Sequence, residues 1–195
     1  MSKQIITVNR MFGSGGRMIG KALAEELGYQ FYDKELIDIA SKEKQIPFGE
    51  LAKVDERKAS SWLFPVDQEL QMNPEYHFVT MNDMLFDVQR KIILEAADKE
   101  NAVIVGRCAN HILQDKALKI FIYASFEDRV ANVMERTGRE EKSVRKMIKR
   151  IDKERRAYYE YFTDQKWSDM LQYDLCLNTS HFTIEEVIKI IKGSL

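Results

Sequence analysis

Short apolar runs, rich in β-branched and aromatic residues, recur along the chain, and longer amphipathic stretches separate them. Runs that are apolar at every position, rather than at alternate positions, are typical of strands buried on both faces of a sheet. The sequence therefore predicts five short buried strands, at residues 5–8, 31–32, 102–105, 118–123 and 175–177.

Between these runs, apolar residues return at every third or fourth position, which is the spacing of one helix face. Thr183 and Glu186 stand three residues apart at the start of the last such stretch, and this spacing predicts a capping box. The apolar faces comprise Ile19, Leu23 and Leu27, then Leu85, Val88, Ile92 and Ala96, then Val130, Val133 and Met134, and finally Ile184, Val187, Ile188 and Ile191.

Strands that alternate with helices predict an α/β fold, in which a mostly parallel five-stranded sheet has helices on both faces. In such a sheet, ligands bind at the carboxyl ends of the strands. Residues that directly follow a predicted strand are therefore the first candidates for function.

Two segments depart from this alternation. Residues 45–80 contain all three prolines of the chain and are interpreted as an insertion between the second and third strands. Residues 136–162 are predicted to form one long charged helix, with ten Lys or Arg against four Asp or Glu up to residue 156. This basic segment could bind an anion or could be an ordinary solvated helix face, and both interpretations stay open at this point.

The composition is that of a soluble globular protein, because 195 residues suit a single domain and 45% of them are hydrophobic against 31% charged. A formal net charge of −1 gives no overall attraction to nucleic acid or to an anionic membrane, so neither partner is predicted. The N-terminal residues lack a long apolar stretch, which favours a cytoplasmic location. Cys108 and Cys176 are interpreted as reduced, buried thiols. The pattern makes no prediction about oligomeric state.

A glycine-rich turn, Gly13-Ser14-Gly15-Gly16, lies between the first predicted strand and the first predicted helix. Glycines let a backbone turn its N–H groups inward, and a helix N-terminus adds partial positive charge. The strand before the turn and the helix after it therefore predict a phosphate-binding loop. A flexible turn is the alternative interpretation of the glycines alone.

This turn departs from the Walker pattern G-x-x-x-x-G-K-[ST]. Arg10, Gly16 and Arg17 take the places of the first glycine, the lysine and the hydroxyl residue. Arg17 could replace the missing lysine, since a guanidinium donates two parallel hydrogen bonds to phosphate oxygens, but it cannot bind a metal ion. Lys21, one helical turn further on, is a second candidate, and its alternative interpretation is an exposed helix lysine.

Four stretches of the chain together resemble the cytidylate kinase-like family, and the resemblance extends along nearly the whole sequence. That family has a glycine-rich loop with arginine where the hydroxyl residue is expected, which accounts for the departure from the Walker pattern. The resemblance implies a P-loop NTPase-type fold in one domain over residues 1–195, with a monophosphate-binding, acceptor-side insertion at about 45–80 and a helical lid at about 136–162. The four stretches are residues 6–17, 31–37, 103–107 and 148–161.

The resemblance also implies roles for individual residues. Nucleotide binding is implied for Phe12, Gly13, Ser14, Gly15, Gly16, Arg17, Met18 and Lys21. Acceptor binding is implied for Asp33, Arg90, Arg107 and Arg156. Catalysis is implied for Arg17, Arg107, Arg150 and Arg155.

Three of these positions have alternatives or departures. Arg90 could instead be an ordinary surface arginine on a helix. Asp33 could bind Mg²⁺ through water, orient the acceptor phosphate, or only cap the helix predicted to begin at Lys34. Cys108, next to Arg107, stands where related kinases have an aspartate that helps to read cytosine, so the base specificity of the family does not transfer directly.

The resemblance implies that ATP and Mg²⁺ serve phosphoryl transfer to a small acceptor, such as the nucleoside monophosphate CMP. This chemistry needs in-line positioning and charge neutralisation, which arginines and a metal ion supply. No metal site made by protein residues is predicted, because Cys108 and His111 form only half of a zinc site. Two alternatives stay open: a kinase fold that only binds a nucleotide or another anion, and a kinase of a different small molecule.

Overall fold

The computed structural model describes residues 4–33 and 81–195, so the predicted insertion at residues 45–80 lies outside the described residues. All five predicted strands are present. In chain order the elements are β1 (Ile5–Arg10), α1 (Gly16–Leu27), β2 (Gln30–Tyr32), α2 (Met81–Lys99), β3 (Ala102–Val105), α3 (Ala109–Leu113), β4 (Leu118–Tyr123), α4 (Phe126–Thr137), α5 (Glu141–Thr163), β5 (Leu175–Asn178) and α6 (Ile184–Lys192).

The described strands form one parallel sheet in the order β2-β3-β1-β4-β5. The central strand is β1, in which Thr7 pairs with Ile104 of β3 on one side and with Lys119 of β4 on the other. The carboxyl ends of β1 and β3 are therefore neighbours, and this edge of the sheet carries the glycine-rich turn and the residues that follow β3.

Helices cover both faces of the sheet, because alternate side chains of each strand point to opposite faces. On one face, Ile5 and Ile104 pack against the apolar side of α2. On the other face, Ile6 and Val105 pack against α1 and α6 in a separate cluster. The predicted α/β fold is confirmed.

The predicted capping box of α6 is also present. The Thr183 hydroxyl accepts the Glu186 N–H, and the Glu186 carboxylate accepts the Thr183 N–H. The single charged helix predicted over residues 136–162 is wrong at its start, because α4 runs to Thr137 and ends on Gly138 in a left-handed conformation, with φ of 64°. A new helix, α5, then begins at Glu141. Glycine at this position is a common helix terminator, and it divides the basic segment.

The two cysteines differ in their surroundings. Cys108 is buried, as predicted, whereas Cys176 is exposed, so the prediction of a second buried thiol is wrong. The reason is the position of β5 at the edge of the described sheet, where Leu177 enters the core while its neighbour Cys176 points to the opposite face and is exposed. Among the described residues, no helix is both long and apolar enough to cross a membrane.

Candidate active site

The glycine-rich turn connects β1 to α1 and is pressed closely against α4. Gly13 has φ of 85°, a region that favours glycine, and a Cβ atom there would lie 2.9 Å from the carbonyl oxygen of Arg129. Gly16 opens α1, where a Cβ atom would lie 2.5 Å from the Cβ of Arg10. The turn therefore needs glycine both for its backbone conformation and for its close approach to neighbouring chain.

Side chains from other elements hold the carbonyl groups of residues 12–14. The Phe12 carbonyl accepts a hydrogen bond from Arg129 at 3.3 Å, that of Gly13 from Asn132 at 3.2 Å, and that of Ser14 from Thr179 at 2.9 Å. In a planar trans peptide the next residue's N–H points opposite to the carbonyl. The N–H groups of residues 13–15 are therefore turned away from the elements that hold the carbonyls.

Several of these N–H groups are available to a ligand. In the described part of the chain, the N–H groups of Gly13, Gly15, Gly16 and Arg17 have no acceptor, as expected around the first turn of a helix. The Ser14 side chain does not share this role. Its hydroxyl is buried and lies within donating distance of the carbonyls of Met11 in the loop and Ile122 in β4, at 2.9 and 3.1 Å. Ser14 thus stabilises the loop, and its own N–H donates to the Met11 carbonyl at 3.4 Å.

Arg17 and Asp33, predicted separately for the donor and the acceptor, are in direct contact. The Arg17 Nε lies 2.5 Å from Asp33 Oδ2. Asp33 is buried at the carboxyl end of β2, while about half of the Arg17 side chain, 51%, is exposed. The carboxylate therefore orients the guanidinium beside the phosphate loop and leaves part of it accessible. The alternative role of Asp33, capping a helix from Lys34, lies outside the described residues.

Lys21 occupies the solvent side of α1. Its Nζ lies 3.7 Å from the carboxylate of Glu25, one turn along the same helix, and the side chain is 59% exposed. This arrangement is that of an exposed helix lysine. Met18 is also exposed, but it borders the groove described below.

A pocket, called the basic pocket below, lies at the carboxyl ends of β1 and β3, next to the phosphate loop. It is small and partly open to solvent, and its described lining includes three guanidinium groups and no carboxylate. Arg155, from α5, donates to the Arg10 carbonyl at 3.3 Å. The described lining of the pocket therefore brings three guanidinium groups together. Its lining residues are Asn9, Arg10, Gly106, Arg107, Cys108, Arg155, Tyr158, Tyr159 and Trp167.

Sequence reasoning missed Arg10 as a pocket residue, because the Walker comparison treats it only as a mismatch. Its side chain extends across the end of β3, so closely that a Cβ atom at Gly106 would overlap with its guanidinium. The sequence signal is an arginine at the end of β1 together with a glycine directly after β3, the neighbouring strand in the sheet.

The turn after β3 is strained. Gly106, Arg107 and Cys108 are consecutive residues with positive φ, at 79°, 57° and 56°. This conformation costs about 1–2 kcal/mol for each non-glycine residue, and such strain concentrates at functional sites. The positive-φ conformation of this turn places Arg107 in the lining of the pocket. Burial raises the pKa of the Cys108 thiol to about 12, so this residue stays protonated and serves as a wall rather than a nucleophile.

A buried polar network underlies the pocket. The amide of Asn9 donates to Asn110 at 3.2 Å and to the Tyr173 hydroxyl at 3.1 Å. The amide of Asn110 in turn donates to the Tyr159 hydroxyl at 2.8 Å, and burial raises the pKa of both tyrosines. Sequence reasoning missed this network, since its members are far apart in the chain. The network joins Asn9, the residue before Arg10, to Tyr159 in the pocket wall through Asn110.

Three predicted arginines do not line this pocket. Arg90 is exposed on α2, whereas its neighbour Gln89 is buried and accepts a hydrogen bond from Tyr158 at 3.2 Å. Arg150 is exposed and donates to Glu154 at 3.2 Å, and Arg156 is exposed on the same helix. Their roles in acceptor binding and catalysis stay predictions.

A wider groove adjoins the other side of the phosphate loop. It is open to solvent and shares residues 13–15 with the loop. Phe182, which is 41% exposed, and Ile184 form apolar parts of its wall beyond the end of β5. The loop therefore lies between this wide groove and the smaller basic pocket.

The chain matches a known family and proteins from that family. Its sequence matches the cytidylate kinase-like family over residues 5–181. A cytidylate kinase of Archaeoglobus fulgidus is 28% identical over 190 residues, which cover 95% of this chain and 91% of that protein. A cytidylate kinase of Pyrococcus horikoshii is 30% identical over 194 residues, which cover 99% of this chain and 88% of that protein.

Solved structures share the fold. An uncharacterized protein from Eubacterium ventriosum superposes with a TM-score of 0.74 at 28% identity, covering 98% of both chains. Shikimate kinase from Bacteroides thetaiotaomicron superposes with a TM-score of 0.56 at 16% identity, covering 98% of this chain and 97% of that one. The second likeness concerns the fold alone, which is that of the P-loop kinases.

Proposed function

This chain belongs to the cytidylate kinase-like family, and we propose that it transfers the terminal phosphate of ATP to a nucleoside monophosphate such as CMP. One observation carries the proposal. The phosphate loop and the basic pocket of Arg10, Arg107 and Arg155 lie side by side at the carboxyl ends of the central strands. Two adjacent anion sites are what a reaction between two phosphorylated substrates requires.

The donor occupies the phosphate loop and the wide groove in this proposal. The free N–H groups around the start of α1, together with the helix dipole, bind the phosphates, and Arg17 supplies the cation that lysine supplies in a Walker loop. Because the groove shares residues 13–15 with the loop, a triphosphate on the loop would place its nucleoside in the groove. Phe182 offers an aromatic face to the base.

The acceptor occupies the basic pocket. Three guanidinium groups suit a phosphate dianion better than an uncharged hydroxyl compound, because arginines bind phosphate through charge-assisted, often bidentate hydrogen bonds. This charge favours a phosphorylated acceptor over a hydroxyl acceptor, even though shikimate kinase shares the fold. Cys108 in the pocket wall leaves the base of the acceptor open to experiment.

Mg²⁺ would be held mainly by the phosphates and water. In the described ranges, no group of three His, Cys, Asp or Glu residues could hold a metal ion, and the Ser14 hydroxyl points into the loop. Asp33 is held beside the start of α1 by its contact with Arg17, so it is the proposed water-mediated partner. When bound, the ion would neutralise charge on the phosphate oxygens.

The residues of this chain contribute position and charge. Arg155 and Arg107 hold the acceptor phosphate, and Arg17 stabilises the charge that spreads over the transferred group. No strong general base is needed, because the monophosphate is itself the nucleophile. The segment over residues 136–162 is proposed to act as a lid that brings Arg150 and Arg156 to the phosphates when both substrates are bound.

An ADP-release assay tests the proposal. ATP and Mg²⁺ are supplied with CMP, dCMP, UMP, AMP, GMP or shikimate, one acceptor at a time, and we expect turnover with a pyrimidine monophosphate. ATP binding without turnover on any acceptor would support the alternative of a nucleotide-binding module. Turnover with shikimate alone would instead move the proposal to a hydroxyl acceptor.

A further inference from the structure

Helix α5 contacts the main chain of the phosphate loop at two points. Asp152 Oδ1 accepts the Phe12 N–H at 2.8 Å, and Arg155 donates to the Arg10 carbonyl at 3.3 Å. The two side chains are three positions apart, so they project from the same face of the helix. One turn of α5 therefore fixes both ends of the segment that leads into the glycines.

Asp152 is also part of a largely buried ion pair. Its second oxygen lies 2.5 Å from a guanidinium nitrogen of Arg129, and the two side chains are only 15% and 9% exposed. The same nitrogen donates to the Phe12 carbonyl at 3.3 Å. Both polar main-chain groups of Phe12 are thus held by this single pair, which joins α4, α5 and the loop.

The direction of the Phe12 carbonyl determines where the next N–H points. Because the peptide between Phe12 and Gly13 is planar and trans, fixing the carbonyl on Arg129 directs the Gly13 N–H away from α4. This N–H is one of those with no acceptor in the described residues. Without the Asp152–Arg129 ion pair, only the remaining contacts of the loop would oppose rotation of the peptide between Phe12 and Gly13.

We propose that Asp152 is a positioning residue for the donor phosphates. It does not touch them. Acting through Arg129 and Phe12, it holds the loop in the conformation that presents the Gly13 N–H to the triphosphate. The inference rests on the proposed function, since it assumes that a nucleoside triphosphate occupies the loop.

The sign of the effect separates positioning from simple electrostatics. A carboxylate near the loop repels a triphosphate, so if charge alone mattered, removing Asp152 would strengthen ATP binding. Positioning predicts the opposite result. Asn at this position removes the charge but keeps an oxygen that can accept the Phe12 N–H.

The experiment compares Asp152→Ala, Asp152→Asn and the control Asp115→Ala, which removes an exposed carboxylate just before β4, at the opposite end of the sheet from the loop. Calorimetry measures the dissociation constants of ATP and of CMP separately for each variant. We expect Asp152→Ala to weaken ATP binding about tenfold, the loss of roughly one charge-assisted hydrogen bond, with CMP binding changed less than about twofold. Asp152→Asn should fall between Asp152→Ala and the unmodified protein, and the control should match the unmodified protein.

A second variant guards against unfolding. Removing Asp152 alone leaves a buried guanidinium without its partner, whereas Arg129→Ala combined with Asp152→Ala leaves no unpaired charge. The double variant should fold and should still bind ATP weakly. Faster hydrogen exchange at the Phe12 amide in Asp152→Ala would support the same conclusion.

Two outcomes overturn the inference in distinguishable ways. If the Asp152→Ala and double variants bind ATP as tightly as the unmodified protein, or more tightly, positioning by Asp152 is wrong and the proposed function stands. If the unmodified protein binds no nucleoside triphosphate, the proposed function is wrong and the inference falls with it.

Discussion

The two sides of the site lie at the same edge of the sheet but are built from different parts of the chain. The donor side centres on one contiguous stretch, residues 13–17, in which the N–H groups of Gly13, Gly15, Gly16 and Arg17 have no acceptor among the described residues. The acceptor side is assembled from the end of β1, the strained turn after β3 and helix α5, and its chemistry resides in guanidinium side chains. The donor side is thus a backbone site, and the acceptor side is a side-chain site.

The two sides should therefore tolerate different substitutions. A backbone site depends on conformation, so it is sensitive to added atoms and to changes in the residues that hold its carbonyls. A side-chain site depends on charge, so it is sensitive to the loss of single arginines. A donor side that responded to charge, or an acceptor side that responded to added atoms, would contradict this difference. Variants that measure each response test it.

The largest effect is expected on the acceptor side. Arg107→Ala keeps the Cβ atom and the strained backbone but removes the guanidinium from the pocket. We expect kcat/KM for the monophosphate to fall by roughly a hundred- to a thousandfold, the range for loss of one preorganised donor, while the dissociation constant of ATP stays unchanged. Steady-state kinetics and ATP titration provide the two measurements.

Lys116→Ala is the control, because Lys116 is an exposed cation in the connection between α3 and β4, outside the proposed lid. It removes the same charge from the chain without touching the pocket. Equal loss of activity in both variants, or loss of ATP affinity in Arg107→Ala, would show that the acceptor side does not act through this side chain.

Arg17 is the exception on the donor side, because it is a side chain in a backbone site. Arg17→Ala should lower kcat by about a hundredfold, since it removes a contact made mainly in the transition state. Lys21→Ala should stay within about twofold, because Lys21 faces solvent and pairs with Glu25. The opposite result, with Lys21→Ala inactive and Arg17→Ala normal, would assign the cation of the loop to Lys21.

The same difference explains what the sequence could predict. Elements whose signal is contiguous were predicted: the five strands, the glycine-rich loop and the capping box of Thr183 and Glu186. Contacts between distant segments were not. The pair of Arg17 with Asp33 joins residues sixteen positions apart, and the bond from Asp152 to Phe12 spans 140 positions. Neither spacing leaves a local pattern.

Two misses have local causes. The helix predicted over residues 136–162 ignored Gly138, whose left-handed conformation ends α4. Cys176 lies in a run predicted to be a buried strand, but β5 is the edge strand of the described sheet, and Cys176, which alternates with the buried Leu177, is exposed. Arg10 was missed for a different reason, since matching the loop to a Walker pattern gives no place to an arginine at the end of β1.

Adding a single methyl group tests the backbone character of the donor side. Gly13→Ala forces Ala to a φ of 85° and brings its Cβ to 2.9 Å from the Arg129 carbonyl oxygen. Gly28→Ala is the matched control, because Gly28 has a φ of 66° but nothing lies within 4 Å of a Cβ atom there. We expect the control to lose about 1–2 kcal/mol of unfolding free energy and Gly13→Ala to lose a further 1–3 kcal/mol.

ATP affinity distinguishes the two glycine variants more sharply than stability does. Gly13→Ala should weaken ATP binding about tenfold, because the added atom displaces the loop from the elements that hold its carbonyls. Gly28→Ala should bind ATP normally. Normal ATP binding by a folded Gly13→Ala protein would argue against a backbone site.

The smallest effect concerns the two thiols, one in the acceptor wall and one on the edge strand. At pH 8 a thiol with a pKa of about 12, the value to which burial raises Cys108, is roughly one part in ten thousand thiolate, and it is also shielded from reagent. The raised pKa keeps Cys108 almost wholly protonated up to about pH 11, so its labelling by iodoacetamide should stay negligible between pH 7 and 9. Cys176, which is exposed, should be labelled first, with turnover changed less than about twofold because it lies outside both sides of the site.

Mass spectrometry of peptides after timed labelling measures both rates, with Cys176→Ser as the control that leaves Cys108 as the single target. Rapid labelling of Cys108 in the folded, substrate-free protein would mean that the acceptor wall opens to solvent, and the acceptor side would then depend on backbone conformation as the donor side does.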